Sequence, residues 1–343
     1  MQKSLLEIPP YEKIFYKMIF HFFLKIFLSI LGVSSISAAV CQTIPNIYPN
    51  KPITIIVPYS TGSTADLLAR NIGNKLSTKW SVPVIIDNRP GAAGVIGTDA
   101  VAKAKGDGYV LLFTATSHAS VPAIREKLPY DPIHSFTPIC LLSTSAMGFV
   151  ISPTLPFQNF SDFLNYVKSH PSTYSYSSPG SGTTQHLAME LLKQKTGMEI
   201  LHVPYKGISG AITDVLGGHV QASIVSLQAA NAYIQSGQLK MLAILSEERS
   251  KVFPTVPTLK QLGINEVIDT WYGVLAPAKM PLDLVLKLNT EMNNILLSSE
   301  IQELMTKQGL TSQGGSPDKM FIQLQMEIPK WKSVVKNGQI ITE

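Results

Sequence analysis

The chain has 343 residues, enough for two domains or one large one with an ample core. Apolar residues make up 45% and charged residues 15%, which excludes a disordered chain and a polytopic membrane protein. The net charge of +5 falls to +3 without residues 1–39, which carry four of the 28 basic and two of the 23 acidic residues; with no Lys/Arg cluster, nucleic acid is excluded as a partner.

Lys13, Lys17 and Lys25 flank or interrupt an apolar run over residues 14–36 that ends in Ser37, Ala38 and Ala39. That is the layout of a secretory signal over residues 1–39, with Met18 as an alternative start; a retained membrane anchor is the competing reading. Cys41 follows and offers a lipid-attachment site, although Val40 fits such a site poorly. Cys140 lies in an apolar run and reads as a buried thiol. No Cys/His spacing suits a metal, and no cofactor is expected.

Ile53, Ile55, Ile56 and Val57 form the β-branched run of a buried strand. Pro58 and Gly62 end it, and Ser63 or Thr64 caps a helix from about residue 65 to 76 with Asp66 in its first turn. A strand is expected over 82–86. Gly91, Gly94 and Gly97 then lead into a helix over 98–104, at a spacing that departs from the dinucleotide fingerprint. The next strand covers 109–113. Strands alternating with helices at this spacing predict βαβ units, a mostly parallel sheet, and a ligand at the strands' carboxyl ends. Those ends fall at residues 59–64, 88–94 and 114–118.

Residues 136–152 hold two apolar runs and read as strands on which the chain crosses into a second lobe. A helix over 162–169 follows. Residues 174–186 then repeat the opening chemistry of strand, Ser/Gly turn and hydroxyl-capped helix start, here for a helix over 187–195. Strands over 200–204, 220–227 and 239–245 alternate with helices over 211–216 and 229–236. A return strand over 270–275 precedes three helices, over 281–297, 299–308 and 317–336, that pack back on the first lobe.

The chain has no G-x-S-x-G elbow, no P-loop and no paired carboxylates at a strand end. Ser181 with His186 five residues on is the nearest approach to a nucleophile and base, and a secreted hydrolase using them lacks a third partner. His118, His186 and His202, each alone, read as structural hydrogen-bonders. What remains is hydroxyls, glycines and helix starts, which suit a small anion held by backbone N–H groups.

The strings YPNKPITIIVPYSTGSTADLLAR, VIIDNRPGAAGVIGTDAVAKAKGDGYVLLF, LPYDP, SSPGSGTTQHLAMELL, HVPYKG, DVLGGHVQ and WYGVLAPA, in this order, resemble the substrate-binding proteins of tripartite tricarboxylate transporters, the Bug receptors. The resemblance runs from about residue 48 to 338. It implies a non-enzymatic α/β protein of type II periplasmic-binding-protein architecture. Two lobes, each a mostly parallel sheet flanked by helices, would close on a small mono-, di- or tricarboxylate in the cleft between them. Lobe 1 would comprise residues 45–145 with 270–343, and lobe 2 residues 146–269. The implied setting is a periplasmic monomer that delivers its ligand to membrane permease subunits; a receptor docking a sensor kinase is the alternative.

Carried over residue by residue, the family's ligand site falls on Tyr59, Thr61, Ser63, Thr64 and Asp66 in the first loop. It falls on Ser178, Gly180, Gly182, Thr183 and His186 in the second, with Ser117 and His118 on a third. Three departures stand out: Gly62-Ser63 where the family has two glycines, Ala93 and Val95 in the Pro-Gly turn, and Val225-Ser226 in place of Asp-Asn. The last bears on ligands with an amino group.

Overall fold

The computed structural model describes residues 48–340, so the expected signal segment 1–39 and Cys41 lie outside the described residues. All that follows belongs to the unit beginning at Pro49. The first sheet opens with β1 (Ile53–Val57), helix α1 (Thr64–Trp80) and β2 (Val84–Asn88). A 3-10 turn at Ala92–Gly94 leads into α2 (Val95–Ala102), β3 (Val110–Ala115) and α3 (Ser117–Ile124). β1 lies between β2 and β3 and runs parallel to both, and four of its five residues are buried, as a strand covered on both faces requires.

Beyond β3 the sheet changes character. β4 (Phe136–Ser145), β10 (Thr270–Pro277) and β11 (Leu310–Ser312) complete the order β11-β4-β10-β3-β1-β2, and every pairing among β3, β10, β4 and β11 is antiparallel. The second sheet has the order β7-β6-β8-β5-β9. Its strands are β5 (Met147–Ile151), β6 (Ser175–Ser178), β7 (Leu201–Pro204), β8 (Ala222–Ser226) and β9 (Lys240–Ile244). β6 is parallel to β7 and β8, whereas β5 is antiparallel to β8 and β9.

The two-lobed α/β architecture is therefore present, with mixed sheets where mostly parallel ones were expected. The physical reason is the crossing. β4 runs out of one sheet at Ser145, and only Ala146 intervenes before β5 enters the other. The return strand β10 lies against β4 and must run the opposite way. α3 and β11 are further additions to the expected elements.

Helices α4 (Phe160–Ser169), α5 (Thr184–Thr196), α6 (Ile208–Leu216) and α7 (Leu227–Gln235) accompany the second sheet. After β10 come α8 (Leu282–Leu296), α9 (Ser299–Lys307) and α10 (Pro317–Asn337). In α10, Met320, Leu324, Ile328, Trp331, Val334 and Val335 recur three or four residues apart and are buried, one apolar face. This helix is fastened at its middle and near its C-terminal end. Glu327 accepts the indole N–H of Trp271 at 2.6 Å, and Gln194 of α5 donates to the Val334 carbonyl at 2.8 Å. One apolar cluster includes Ile56 and Leu112 of the first sheet, Phe149 and Tyr176 of the second, and Trp331 of α10. Among the described residues no helix is long and apolar enough to cross a membrane.

Candidate functional site

The first loop joins β1 to α1 and is organised by Asp66. Ser63 is the N-cap of α1, in extended backbone (φ −68°, ψ 160°), and its hydroxyl accepts the Asp66 amide hydrogen. The Asp66 carboxylate, 2% exposed, turns back to accept the Gly62 amide at 2.9 Å. It also accepts Asn88 Nδ2 at 2.9 Å and Arg70 Nε at 3.1 Å. Burial alone would raise its pKa, but Arg70, the Gly62 amide and Asn88 outweigh that and hold it below the usual carboxylate range. Gly62 itself needs its positive φ of 84° for the amide to reach Asp66. Thr61 stands exposed at the tip.

The carboxyl ends of the three parallel strands interlock. The Asn88 side chain, at the end of β2, also donates to the Tyr59 carbonyl at 3.2 Å. The Tyr59 hydroxyl lies 2.7 Å from Ser117 Oγ, at the start of α3, and accepts the Ala115 amide at 3.0 Å, at the end of β3. Burial raises the Tyr59 pKa, so this hydroxyl stays neutral. Tyr272 of the return strand hydrogen-bonds to the Thr64 side chain. Sequence reasoning missed Tyr272, because it lies more than two hundred residues away and only the antiparallel pairing of β10 with β3 brings it here.

His118 points elsewhere. It is 4% exposed, its Nε2 lies 2.8 Å from the Pro132 carbonyl, and its ring packs against Tyr130 and Phe136. Its Nδ1 is enclosed with no hydrogen-bond partner, and burial drives its pKa down to about 4. It belongs to the packing behind the third loop.

The second loop joins β6 to α5 and repeats the first in different chemistry. Thr183 is the N-cap, at φ −67° and ψ 157°, and its hydroxyl accepts the His186 amide at 3.4 Å. That hydroxyl also donates to the Gly180 carbonyl at 2.8 Å. The Gly182 amide, at φ 76°, donates to His186 Nδ1 at 3.0 Å. Each loop is thus a positive-φ glycine, a hydroxyl N-cap, and a side chain three residues after the cap that reaches back to the glycine amide. Asp66 fills that last place in one loop and His186 in the other. An accepting Nδ1 makes His186 a neutral imidazole with its proton on Nε2.

Behind His186 lies a stack of rings. His202 is 4.0 Å from it, nearly parallel at 12°, and Tyr176 is 4.8 Å from His202. Ser178, fully buried, places Oγ 2.7 Å from His202 Nε2 and accepts the Gly180 amide. Burial first, and the neighbouring His186 second, push His202 down to about 4. Among the described residues no hydrogen bond links Ser181 to His186, whose Nδ1 accepts the Gly182 amide.

In both helices the side-chain cap serves the third residue and the cap carbonyl the fourth. The Thr64 and Ala65 amides of one helix, and the Thr184 and Gln185 amides of the other, therefore lie outside the helical ladder. These donors and the helix dipoles favour an anion. Arg70 is engaged with Asp66 and Asn88, and Arg89 with Asp87. Helix α3 links the two loops: Ser117 at its start touches Tyr59, and Ile124 at its end packs on Gly182. An eight-residue helix is only about 12 Å long.

A model of the "Tripartite tricarboxylate transporter family receptor" matches residues 68–340. The chain is 34% identical to the protein BugT of Bordetella pertussis, over 90% of this chain and 96% of that one. Among solved structures, a Rhodopseudomonas palustris protein with adipate is 30% identical at a TM-score of 0.72, covering 86% of this chain and all of that one. MatC of the same organism, with bound malate, is 28% identical at a TM-score of 0.69, covering 84% of this chain and all of that one. The chain belongs to the tripartite tricarboxylate transporter receptor family, a family of solute receptors and not of enzymes.

Proposed function

We propose that this receptor holds a small mono-, di- or tricarboxylate between two lobes in the periplasm and delivers it to a tripartite tricarboxylate-type permease. The lobes in this reading are residues 45–145 with 270–343, and 146–269. The observation that supports it is the twin loop construction, in which each of two helix starts carries amides and hydroxyls suited to an anion. The malate and adipate held by relatives support the same ligand class. The ligand contacts in this reading come from Thr61, Thr64, Thr183 and the amides of both helix starts. Tyr59, Ser63, Asp66, Ser117, Ser178, Gly180, Gly182 and His186 shape the loops that present them.

A thermal-shift screen against carboxylates of increasing length tests the proposal. A true ligand at a hundredfold excess over its Kd adds about 2.7 kcal/mol to the stability of the native state. Absence of a shift across mono-, di- and tricarboxylates would remove the carboxylate reading.

A further inference from the structure

The two loops close by the same geometry but with different acceptors, and the difference has a chemical consequence. Asp66 is an anion held by Arg70, Asn88 and the Gly62 amide. His186 is neutral and holds the Gly182 amide with a lone pair that exists only while Nδ1 is unprotonated. An imidazolium carries N–H on both ring nitrogens, so a protonated His186 would set one N–H against another at 3.0 Å. The bond would turn from attraction to repulsion.

We infer that His186 is the positioning residue of the second loop, and that its neutral ring keeps Gly182–Gln185 in ligand-binding form, so that protonation opens this loop while Asp66 keeps the first one shut. This rests on the carboxylate-receptor reading for its effect on affinity, but not for its effect on the loop.

The surroundings fit such a role. His186 is 5% exposed, and burial is the chief reason its pKa lies below the ordinary histidine value. On its own helix Glu190 favours the cation and Lys193 opposes it, and those two are ion-paired at 2.9 Å. From β7, His202 stacks on the ring face, and from β6 Tyr176 lies beyond it with its hydroxyl on Glu190. A second positive charge 4.0 Å away is disfavoured, so the stack takes up one proton before two. The first loop has no counterpart, because Asp66 stays ionised well below the pH at which histidines titrate.

Two measurements on the full chain test this. The first needs no ligand: amide hydrogen exchange of Gly182 and Gly62, corrected for intrinsic rate, from pH 7.5 to 4.5. Protection of Gly182 is expected to fall about tenfold per pH unit once His186 titrates, and protection of Gly62 to stay flat. In His186→Asn, whose amide oxygen supplies an acceptor that does not titrate, Gly182 protection is expected to stay flat as well. The second is calorimetric titration of malate and adipate over the same range. Kd should rise more steeply on acidification in the parent chain than in His186→Asn, whose remaining pH dependence is the ligand's own carboxylate titration. Parallel loss of protection at both glycines, or pH-independent protection of Gly182, overturns the inference. If neither acid binds at pH 7.5 while the exchange result holds, the carboxylate reading fails and the loop latch stands.

Discussion

The contact between Gly182 and Ile124 is where the second loop meets the helix that carries the third, and replacing the glycine separates two costs. A Cβ at Gly182 would lie 2.6 Å from Ile124 Cδ1, 3.4 Å from Cγ2 and 3.7 Å from Cβ. Gly182→Ala therefore carries a backbone cost of about 1–2 kcal/mol for a left-handed alanine at φ 76°. It adds an overpacking cost of about 1 kcal/mol, at the low end of the usual range because Cδ1 can rotate away while Cγ2 cannot. Gly62→Ala has the same backbone cost at φ 84°, but its Cβ meets nothing within 4 Å among the described residues. Urea denaturation of Gly62→Ala, Gly182→Ala, Ile124→Ala and the Gly182→Ala/Ile124→Ala pair isolates the contact. The expected coupling is about 1 kcal/mol, with Ile124→Ala relieving Gly182→Ala and no other glycine. Equal costs at the two glycines together with zero coupling would refute the contact, and with it the link that α3 makes between the loops.

Other outcomes follow from buried groups. Asp66→Asn puts an amide hydrogen against one of the donors that the carboxylate now accepts, and should cost about 1–3 kcal/mol in chemical denaturation at pH 7. Glu327 is 8% exposed, and burial pushes its carboxyl up to about 7 against the pull of Trp271 and Lys330. Because the folded pKa is raised above 4.5, the penalty is absent below that pH and complete above about 7. Glu327→Gln should therefore stabilise the protein at pH 8, by at most about 3 kcal/mol, and lose that advantage at pH 4.5; equal stability changes at both pH values would contradict this. Cys140 is buried with its thiol pushed up to about 12, so mass spectrometry of its peptide should show no alkylation at pH 8 until denaturant is added.

Much of the first half of the sheet was legible because local pattern and fold agree there. The β-branched run 53–57, the Gly62-Ser63 turn and the capped helix are all written in neighbouring residues, and the strand-end rule pointed to residues 59–64, 88–94 and 114–118. The structure interlocks Tyr59, Asn88 and Ser117 from those three segments. Legibility fails where partners are distant. The antiparallel half of each sheet depends on which strand lies beside β4 and β5, a property of the crossing and not of either strand's composition. Helix α3 was hidden by Pro122, and β11 is three residues long. The likeness of the two loops was visible as Gly-hydroxyl-x-x-polar, but its meaning needed coordinates. Only they show that Asp66 and His186 turn inward to the glycine amides, while His118 sits among Tyr130 and Phe136.

The most direct test of the account is a crystal structure of the protein with malate or adipate bound. The account predicts one ligand whose carboxylate oxygens lie within hydrogen-bond distance of the Thr64–Ala65 amides on one side and the Thr183–Gln185 segment on the other. A ligand that touches only one of these helix starts, or that lies in another crevice, would contradict it.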